Sequence, residues 1–183
     1  MKKQTFLFAF FTALLCLISP KLYANHAMGA DLSYRCLDNN QYELTLYFYF
    51  DCGSIVQDTP PVNPQISVSS VSCGQLFNIN LAQDVAVSGN EVSVLCNTVS
   101  SNCNNGAYPG VQQYIYRDTV TLPMPCTDWT FGYQLPDGQT RSAAITNLQS
   151  ADIFQLYIEA TLDNTRGCNN SPVFTQSPIA YYC

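Results

Sequence analysis

The chain has 183 residues, of which 47% are hydrophobic and only 11% charged, and thirteen Asp and Glu outnumber seven Lys and Arg. This length suits one domain with a sizeable core. The acidic balance excludes nucleic-acid binding and adsorption to an anionic membrane, because both need a dense basic surface.

The first residues predict an export signal over residues 1–24. Lys2 and Lys3 supply a positive start, residues 6–18 form an apolar stretch, and Ala24 is a small residue suited to cleavage. The apolar stretch is too short for a stable anchor, so no membrane span is expected after signal removal. The alternative is an uncleaved N-terminal anchor. Without residues 1–24, four arginines and thirteen acids remain, and the formal charge becomes 4 − 13 = −9.

Alternation of apolar and polar residues predicts an all-β fold. Over residues 42–50, the apolar side chains at 44, 46, 48 and 50 share one face of a strand. Residues 32–36 should pair with this strand as a hairpin, because Asp38-Asn39-Asn40 is typical of a turn. Further strands are predicted over residues 65–71, 77–81, 92–96, 114–122, 129–135, 143–145 and 154–162, with one helical turn within 147–153.

The strands are short, and Pro, Gly and Asn separate them by loops of varied length. This favours an antiparallel sandwich over a regular up-and-down barrel. Two long surface loops are predicted, over residues 52–64 and 97–110. Loops carry function more often than strands do, although either loop could be a spacer.

Nine cysteines occur, and Cys16 falls within the predicted signal. An even number behind an export signal predicts a disulfide framework. Eight cysteines allow 105 pairings, and only a local Cys96–Cys103 bridge is singled out, because these two flank a short polar loop. A zinc site is the rival, but no C-x-x-C pair occurs and His26 is the only histidine. The disulfide candidates are Cys36, Cys52, Cys73, Cys96, Cys103, Cys126, Cys168 and Cys183.

Several segments resemble the opening domain of large secreted surface proteins of Bacteroidetes, which are described as gliding-motility-associated or adhesin-like. These segments are MGADLSYRC at 28–36, NQYELTL at 40–46, DC at 51–52, DTVTLP at 118–123, AITNL at 144–148 and CNNSPVF at 168–174. The resemblance implies an immunoglobulin-like or cadherin-like sandwich, further β repeats and a sorting domain read by the type IX secretion system. Many relatives carry a paired cysteine before the AITNL segment, where this chain has QTRS at 139–142, so that disulfide is in doubt here.

These features divide the chain into a signal peptide over 1–24, a disulfide-bonded domain over 25–168, and a linker with the start of a following β module over 169–183. The chain is therefore expected to continue into further β repeats.

No catalytic residue is predicted. A hydrolase needs a nucleophile, a base and an orienting acid, but no Gly-x-Ser-x-Gly elbow occurs and His26 lies at the new N-terminus. Glu43 and Glu159 fall on polar strand faces, where solvation is the usual role. We expect no enzyme.

No cofactor or metal site is predicted either, although calcium stays open. Asp163-Asn164 and Asn169-Asn170 offer oxygen ligands, but no Asp-x-Asp-x-Asp series accompanies them and such residues usually form turns.

Twelve tyrosines are the remaining binding signal, because outward rings can stack on sugars or proteins; the alternative is cross-strand pairing on a solvated sheet. The tyrosines considered are Tyr47, Tyr49, Tyr108, Tyr114, Tyr116 and Tyr157. The expected function is that of a secreted, adhesin-like or gliding-motility-associated module at the bacterial cell surface. It would bind an extracellular protein or glycan surface, or cap a repeat array. The alternative is a carbohydrate-binding module attached to a secreted hydrolase.

Overall fold

A computed structural model of the chain describes residues 27–38, 40–53, 59–93, 95–96, 98–136 and 139–172. The predicted signal, with Cys16, and Cys183 lie outside the described residues, as does most of the predicted linker. The described part contains nine β-strands, two short 3₁₀ turns and no α-helix.

The strands follow one another with short connections. In chain order they are β1 Ala27–Asp38, β2 Gln41–Asp51, β3 Gln65–Ser70, β4 Gln75–Asn80, β5 Ala82–Gln83, β6 Asn90–Glu91, β7 Val111–Thr121, β8 Trp129–Gln134 and β9 Tyr157–Leu162. The 3₁₀ turns are Asn102–Asn104 and Ala151–Ile153.

Two antiparallel sheets pack face to face. The first has the strand order β1-β2-β7-β5, with β6 also paired to β7, and the second has the order β4-β3-β8-β9. Aromatic rings meet between the sheets, since Tyr34 of β1 lies 5.7 Å from Phe131 of β8 and Phe48 of β2 lies 6.4 Å from Tyr133. The predicted antiparallel all-β sandwich with disulfides is therefore confirmed.

The order of strands within the sheets matches the arrangement A-B-E-D of constant-type immunoglobulin domains, opposite a sheet that adds one strand to C-F-G. The immunoglobulin-like or cadherin-like assignment within the sandwich class stays a prediction.

The first hairpin follows directly from its sequence. Leu44, Leu46 and Phe48 alternate with polar residues, and all three are buried in the core between the sheets. Asn40 adopts a left-handed backbone with φ of 60°, a conformation that asparagine tolerates better than most residues. The predicted turn and the antiparallel β1–β2 pairing are therefore confirmed.

Strand β8 supplies the centre of the core from the second sheet. Trp129, Phe131 and Tyr133 are almost fully buried, and Thr130, Gly132 and Gln134 point to the other side. Since successive side chains of a strand alternate between faces, this places the latter three on the outer surface.

The strand predicted over residues 92–96 is wrong. β6 ends at Glu91, and Val92 then donates a single backbone hydrogen bond of 2.8 Å to the carbonyl of Val111. Val111 is the first residue of β7, so the partner strand has no further residues for the chain to pair with.

The short strand predicted over residues 143–145 is also wrong. The Ser142 hydroxyl accepts a hydrogen bond from the amide of Ala144, and the Ser142 carbonyl accepts one from Ile145. Serine thus holds a turn here, in competition with strand pairing. The strand predicted over residues 154–162 begins three residues later than expected, at Tyr157, after the second 3₁₀ turn, and Phe154 is 56% exposed.

Candidate functional site

Six of the eight candidate cysteines form three disulfides. The pairs are Cys36–Cys168, Cys52–Cys103 and Cys73–Cys126. Cys96 is disulfide-bonded as well.

The predicted local bridge between Cys96 and Cys103 is wrong. The 3₁₀ turn at 102–104 directs Cys103 towards Gly110, whose carbonyl accepts a hydrogen bond of 3.0 Å from the amide of Cys52. A side-chain carbon at Gly110 would lie 2.5 Å from the Cys103 sulfur, so glycine leaves the space that this disulfide occupies.

The outer surface of the second sheet is built from amides and hydroxyls. Its residues follow from the register of β4, β3, β8 and β9 and are named the polar face here: Gln65, Ser67, Ser69, Leu76, Asn78, Asn80, Thr130, Gly132, Gln134, Tyr157, Glu159 and Thr161. Only Glu159 among them carries a charge. Apart from the exposed apolar Leu76 and the charged Glu159, the face therefore presents mainly neutral hydrogen-bonding groups on a rigid sheet.

A groove of about 570 Å³ runs between the polar face and the chain segment 59–64. Pro60, Pro61 and Pro64 stiffen the segment that forms one wall, and Pro136 and Gln139 also line the groove. Within the part of the chain that the structure describes, none of the residues that line the groove is charged. The predicted surface loop 52–64 thus contributes its second half to the groove, while residues 54–58 lie outside the described part.

Gly132 is one of the residues that line the groove, and two hydroxyl groups lie close to it. A side-chain carbon at this position would lie 2.8 Å from the hydroxyl oxygen of Ser67 and 3.0 Å from that of Tyr157. The Ser67 hydroxyl donates to the carbonyl of Gly132 at 3.2 Å, and the Tyr157 hydroxyl donates to Glu159 Oε2 at 2.8 Å. Because Gly132 has no side chain, the Ser67 and Tyr157 hydroxyls can occupy the space above it.

The Tyr157 ring reaches across β8 to this point and still leaves the residue 52% exposed. The hydrogen bond to Glu159 is the main cause that raises the pKa of Tyr157, and burial and the negative charge of Glu159 add to it. The phenol therefore stays protonated at neutral pH and acts as a donor.

The outer surface of the first sheet differs in charge. Arg35 Nη2 lies 3.1 Å from Glu43 Oε1, and Arg117 Nη1 lies 3.1 Å from Asp84 Oδ2. A smaller hollow of about 380 Å³ lies between these pairs and Ser171. The ion pairs are largely exposed, so this surface is solvated rather than shaped for a neutral ligand.

The free edge of β1 is covered by the segment that follows β9. The Ser171 amide donates to the Tyr34 carbonyl at 3.0 Å, and the Tyr34 amide donates to the Ser171 hydroxyl at 2.9 Å. The amide of Cys36 donates to Asn170 Oδ1 at 2.7 Å. The Cys36–Cys168 disulfide holds this segment in place beside the edge.

The three glutamates are engaged in hydrogen bonds or ion pairs. Glu43 pairs with Arg35, Glu159 accepts from Tyr157, and Glu91 accepts from Ser93 and Asn104. The hydroxyls of Ser101 and Ser93 lower the pKa of Glu91. The three glutamates therefore do not form a facing pair of carboxylates of the kind that a glycosidase uses.

The oxygens considered for calcium serve the fold. Asp163 Oδ1 accepts from the amide and hydroxyl of Thr165, and Asn164 Oδ1 accepts from the amide of Cys126 at 2.7 Å. Asn170 Oδ1 is held by the amide of Cys36. Among the described residues, no group of three or more His, Cys, Asp or Glu is arranged to hold a metal ion.

Comparisons of the chain with family models, with curated proteins and with solved structures found no match. Within the described ranges, no helix has the length and apolar character needed to cross a membrane.

Tyr157 is among the tyrosines that the sequence offers for binding, whereas no sequence pattern predicted Gly132, Ser67 and Asn78, which complete the groove. One signal was available, because a glycine inside the strongly alternating strand 129–135 can mark the close approach of a ligand or of another part of the chain. The wall at 59–64 carried no comparable signal of its position against β3 and β8.

Proposed function

We propose that the chain is a secreted module of a bacterial cell surface, of the adhesin-like kind, and that its work is noncovalent binding. Three disulfides indicate a domain that folds outside the reducing cytoplasm. Export by a signal peptide and a place in gliding motility or type IX secretion are parts of this proposal that rest on the sequence and its resemblance.

The observation that carries the proposal is the uncharged groove on the polar face. A groove lined by amides and hydroxyls can bind a partner by hydrogen bonds without the large cost of desolvating charges. It lies on strands β3 and β8, which are internal strands of the sheet, so its floor is fixed before any partner arrives.

A disulfide secures the sheet near the turn between β3 and β4. Cys73 in that turn is bonded to Cys126 in the loop before β8, and the Asp128 carboxylate accepts hydrogen bonds from Ser70 and Ser72 beside it. The strands that carry the groove are therefore tied together at this end, which favours a preformed site.

A structural role as the cap of a repeat array is supported by the covered edge of β1. Unpaired strand edges invite pairing with other chains, and residues 170 and 171 occupy this one. The same protein could both cap an array and bind a partner, because the covered edge and the groove lie on different sheets.

A carbohydrate-binding module attached to a secreted hydrolase is the second candidate, and the same groove favours it. The two candidates differ in what the module is joined to, tandem β repeats or a catalytic domain, rather than in the site itself.

The test is adhesion under flow. Beads that carry the oxidised, exported chain are passed over surfaces coated with hydroxyethyl cellulose, galactomannan, alginate, casein or gelatin. Beads that carry the same chain after reduction and alkylation are the control. Retention above the control on at least one surface is expected, and retention equal to the control on every surface would contradict a binding function.

A further inference from the structure

The geometry of the groove points to a neutral, hydroxyl-rich polysaccharide as the partner, with Tyr157 as the stacking platform and Gly132 as the floor of the binding site. This inference rests on the proposed binding function and names the chemical class that the groove accepts.

Charge argues first for a neutral partner. Among the described residues, none that lines the groove is charged, and Glu159, the charged residue of the polar face, is engaged by the Tyr157 hydroxyl at 2.8 Å. The whole chain has a formal charge of −6, so an anionic polymer would be repelled. A basic partner would find no carboxylate among the described residues that line the groove.

The polar side chains match vicinal hydroxyls. Each asparagine or glutamine offers a donor and an acceptor side by side, and so can accept from one hydroxyl of a sugar ring and donate to its neighbour. Asn78, Gln134 and Gln139 lie around the groove, with Ser67 at its floor. Such pairs hold a ring in one orientation with neutral hydrogen bonds.

Tyr157 supplies the apolar contact that amides cannot. One face of a pyranose ring presents mainly C–H groups, which pack against an aromatic ring and bury area at little entropy cost. The residue is half exposed although its hydroxyl is already hydrogen-bonded, so the ring can receive a ligand without losing that bond.

The position of the groove disfavours a peptide. Extended peptides usually bind by adding a strand to a sheet edge, where backbone groups are free. Here the floor consists of β3 and β8, whose backbones are paired on both sides with neighbouring strands. Only side chains are offered to a partner, and that suits a ligand rich in hydroxyls.

The experiment uses the oxidised full chain in affinity gels that contain hydroxyethyl cellulose, galactomannan or dextran, with alginate as the anionic comparison. We expect retardation by at least one neutral polymer and none by alginate. Tyr157→Ala should weaken that binding about tenfold, as expected for a lost stacking contact with its buried area. Gly132→Val should abolish it, because the added side chain would collide with the Ser67 and Tyr157 hydroxyls and displace the Tyr157 ring. The backbone at this position needs no left-handed angle, so valine remains compatible with the strand itself.

The matched control is Tyr108→Ala, since Tyr108 is 50% exposed, close to the 52% of Tyr157, but lies outside the groove. Its binding should equal that of the unchanged chain, and thermal melting of every variant verifies folding. Failure of all three neutral polymers to retard the chain would overturn the inference, as would equal binding by Tyr157→Ala. Bead retention on casein or gelatin alone would also overturn it, while leaving the proposed binding function in place.

Discussion

The outer surfaces of the two sheets come from the same alternation of residues, yet they are opposite in character. The first sheet places the ion pairs Arg35–Glu43 and Arg117–Asp84 on its outer surface. The second places amides, hydroxyls and one half-exposed tyrosine there, with Glu159 as its single charge. Strand alternation alone therefore does not decide which surface binds.

The difference shows what an open β surface needs before it can bind a neutral partner. Exposed ion pairs are hydrated and contribute little to stability. A partner that covers them must therefore displace their water and gains little binding energy in exchange. Neutral amides lose less on desolvation than charged groups do. The outer surface of the first sheet thus favours hydration, and that of the second sheet favours contact with a neutral partner.

The edges of the sheets extend the comparison. On the first sheet, the backbone edge of β1 is already occupied by Asn170 and Ser171, and the Cys36–Cys168 disulfide keeps them there. The first sheet is therefore closed at β1, while the second sheet keeps an accessible groove on its face.

The largest expected effect comes from the disulfide that closes the first sheet. Cys36→Ser combined with Cys168→Ser removes a cross-link between residues 132 positions apart. Because the unfolded chain then gains conformational entropy, the free energy of unfolding should fall by about 5 kcal/mol. The matched control, Cys73→Ser with Cys126→Ser, opens a separation of 53 residues and should cost about 4 kcal/mol.

Urea denaturation measures both values. In addition, Cys36→Ser with Cys168→Ser should leave polysaccharide binding intact in the folded protein, because these substitutions affect the covered edge of β1 and not the groove. A first variant as stable as the unchanged chain would show that this disulfide constrains nothing.

The next effect concerns the buried contact that ties β2 to the segment before the second 3₁₀ turn. The Ser142 hydroxyl donates to Asp51 Oδ2 at 2.6 Å, and both residues are buried. Ser142→Ala leaves a buried carboxylate oxygen without this donor and should lower the free energy of unfolding by about 2 kcal/mol. Ser69→Ala, which removes a hydroxyl from the polar face, should change it by less than about 0.5 kcal/mol. Equal losses would contradict the structural role of Ser142.

The sequence predicts local features of this fold well. The alternation at 42–50 and the Asn40 turn depend on neighbouring residues, and both are confirmed. The prediction of a strand at 92–96 is wrong because pairing there depends on where β7 begins, 15 or more residues further along the chain.

Distant pairings also escape the sequence. The three disulfides join cysteines 51 to 132 residues apart, so spacing favours the wrong local pair Cys96–Cys103. The groove has the same origin, because the wall at 59–64 and the floor at Gly132 meet only after the second sheet has formed. Tyr157 could be predicted as outward-facing, but its contact with Gly132 could not.

The stability that Asp128 contributes at one end of the second sheet should depend on pH. Hydrogen bonds from the hydroxyls of Ser70 and Ser72 and from the Ser72 amide lower the pKa of Asp128 from 3.8 to about 2. A carboxyl with a lowered pKa stabilises the fold fully above its ordinary value, and this contribution is lost as the pH falls from about 4 to about 2. Asp128→Asn should therefore melt below the unchanged chain at pH 6, and the difference should shrink towards pH 2.

Thermal melting at pH 6, 4, 3 and 2 measures this profile. Ser72→Ala removes one of the donors and should give a smaller version of the same pH dependence. A difference between Asp128→Asn and the unchanged chain that stays constant down to pH 2 would show that these hydrogen bonds do not favour the ionised carboxylate.

The smallest effect should come from the charged surface of the first sheet. Arg35→Gln removes the pair with Glu43, whose side chains are 65% and 30% exposed, and should cost at most about 0.5 kcal/mol in 0.1 M salt and nothing measurable in 1 M salt. Arg117→Gln, which removes the pair with Asp84, should behave alike, and neither variant should alter retardation by neutral polysaccharides. Urea denaturation at the two salt concentrations provides the values. A loss above about 1 kcal/mol, or weaker polysaccharide binding, would mean that the charged surface contributes to the fold or to the site, because solvation alone predicts neither.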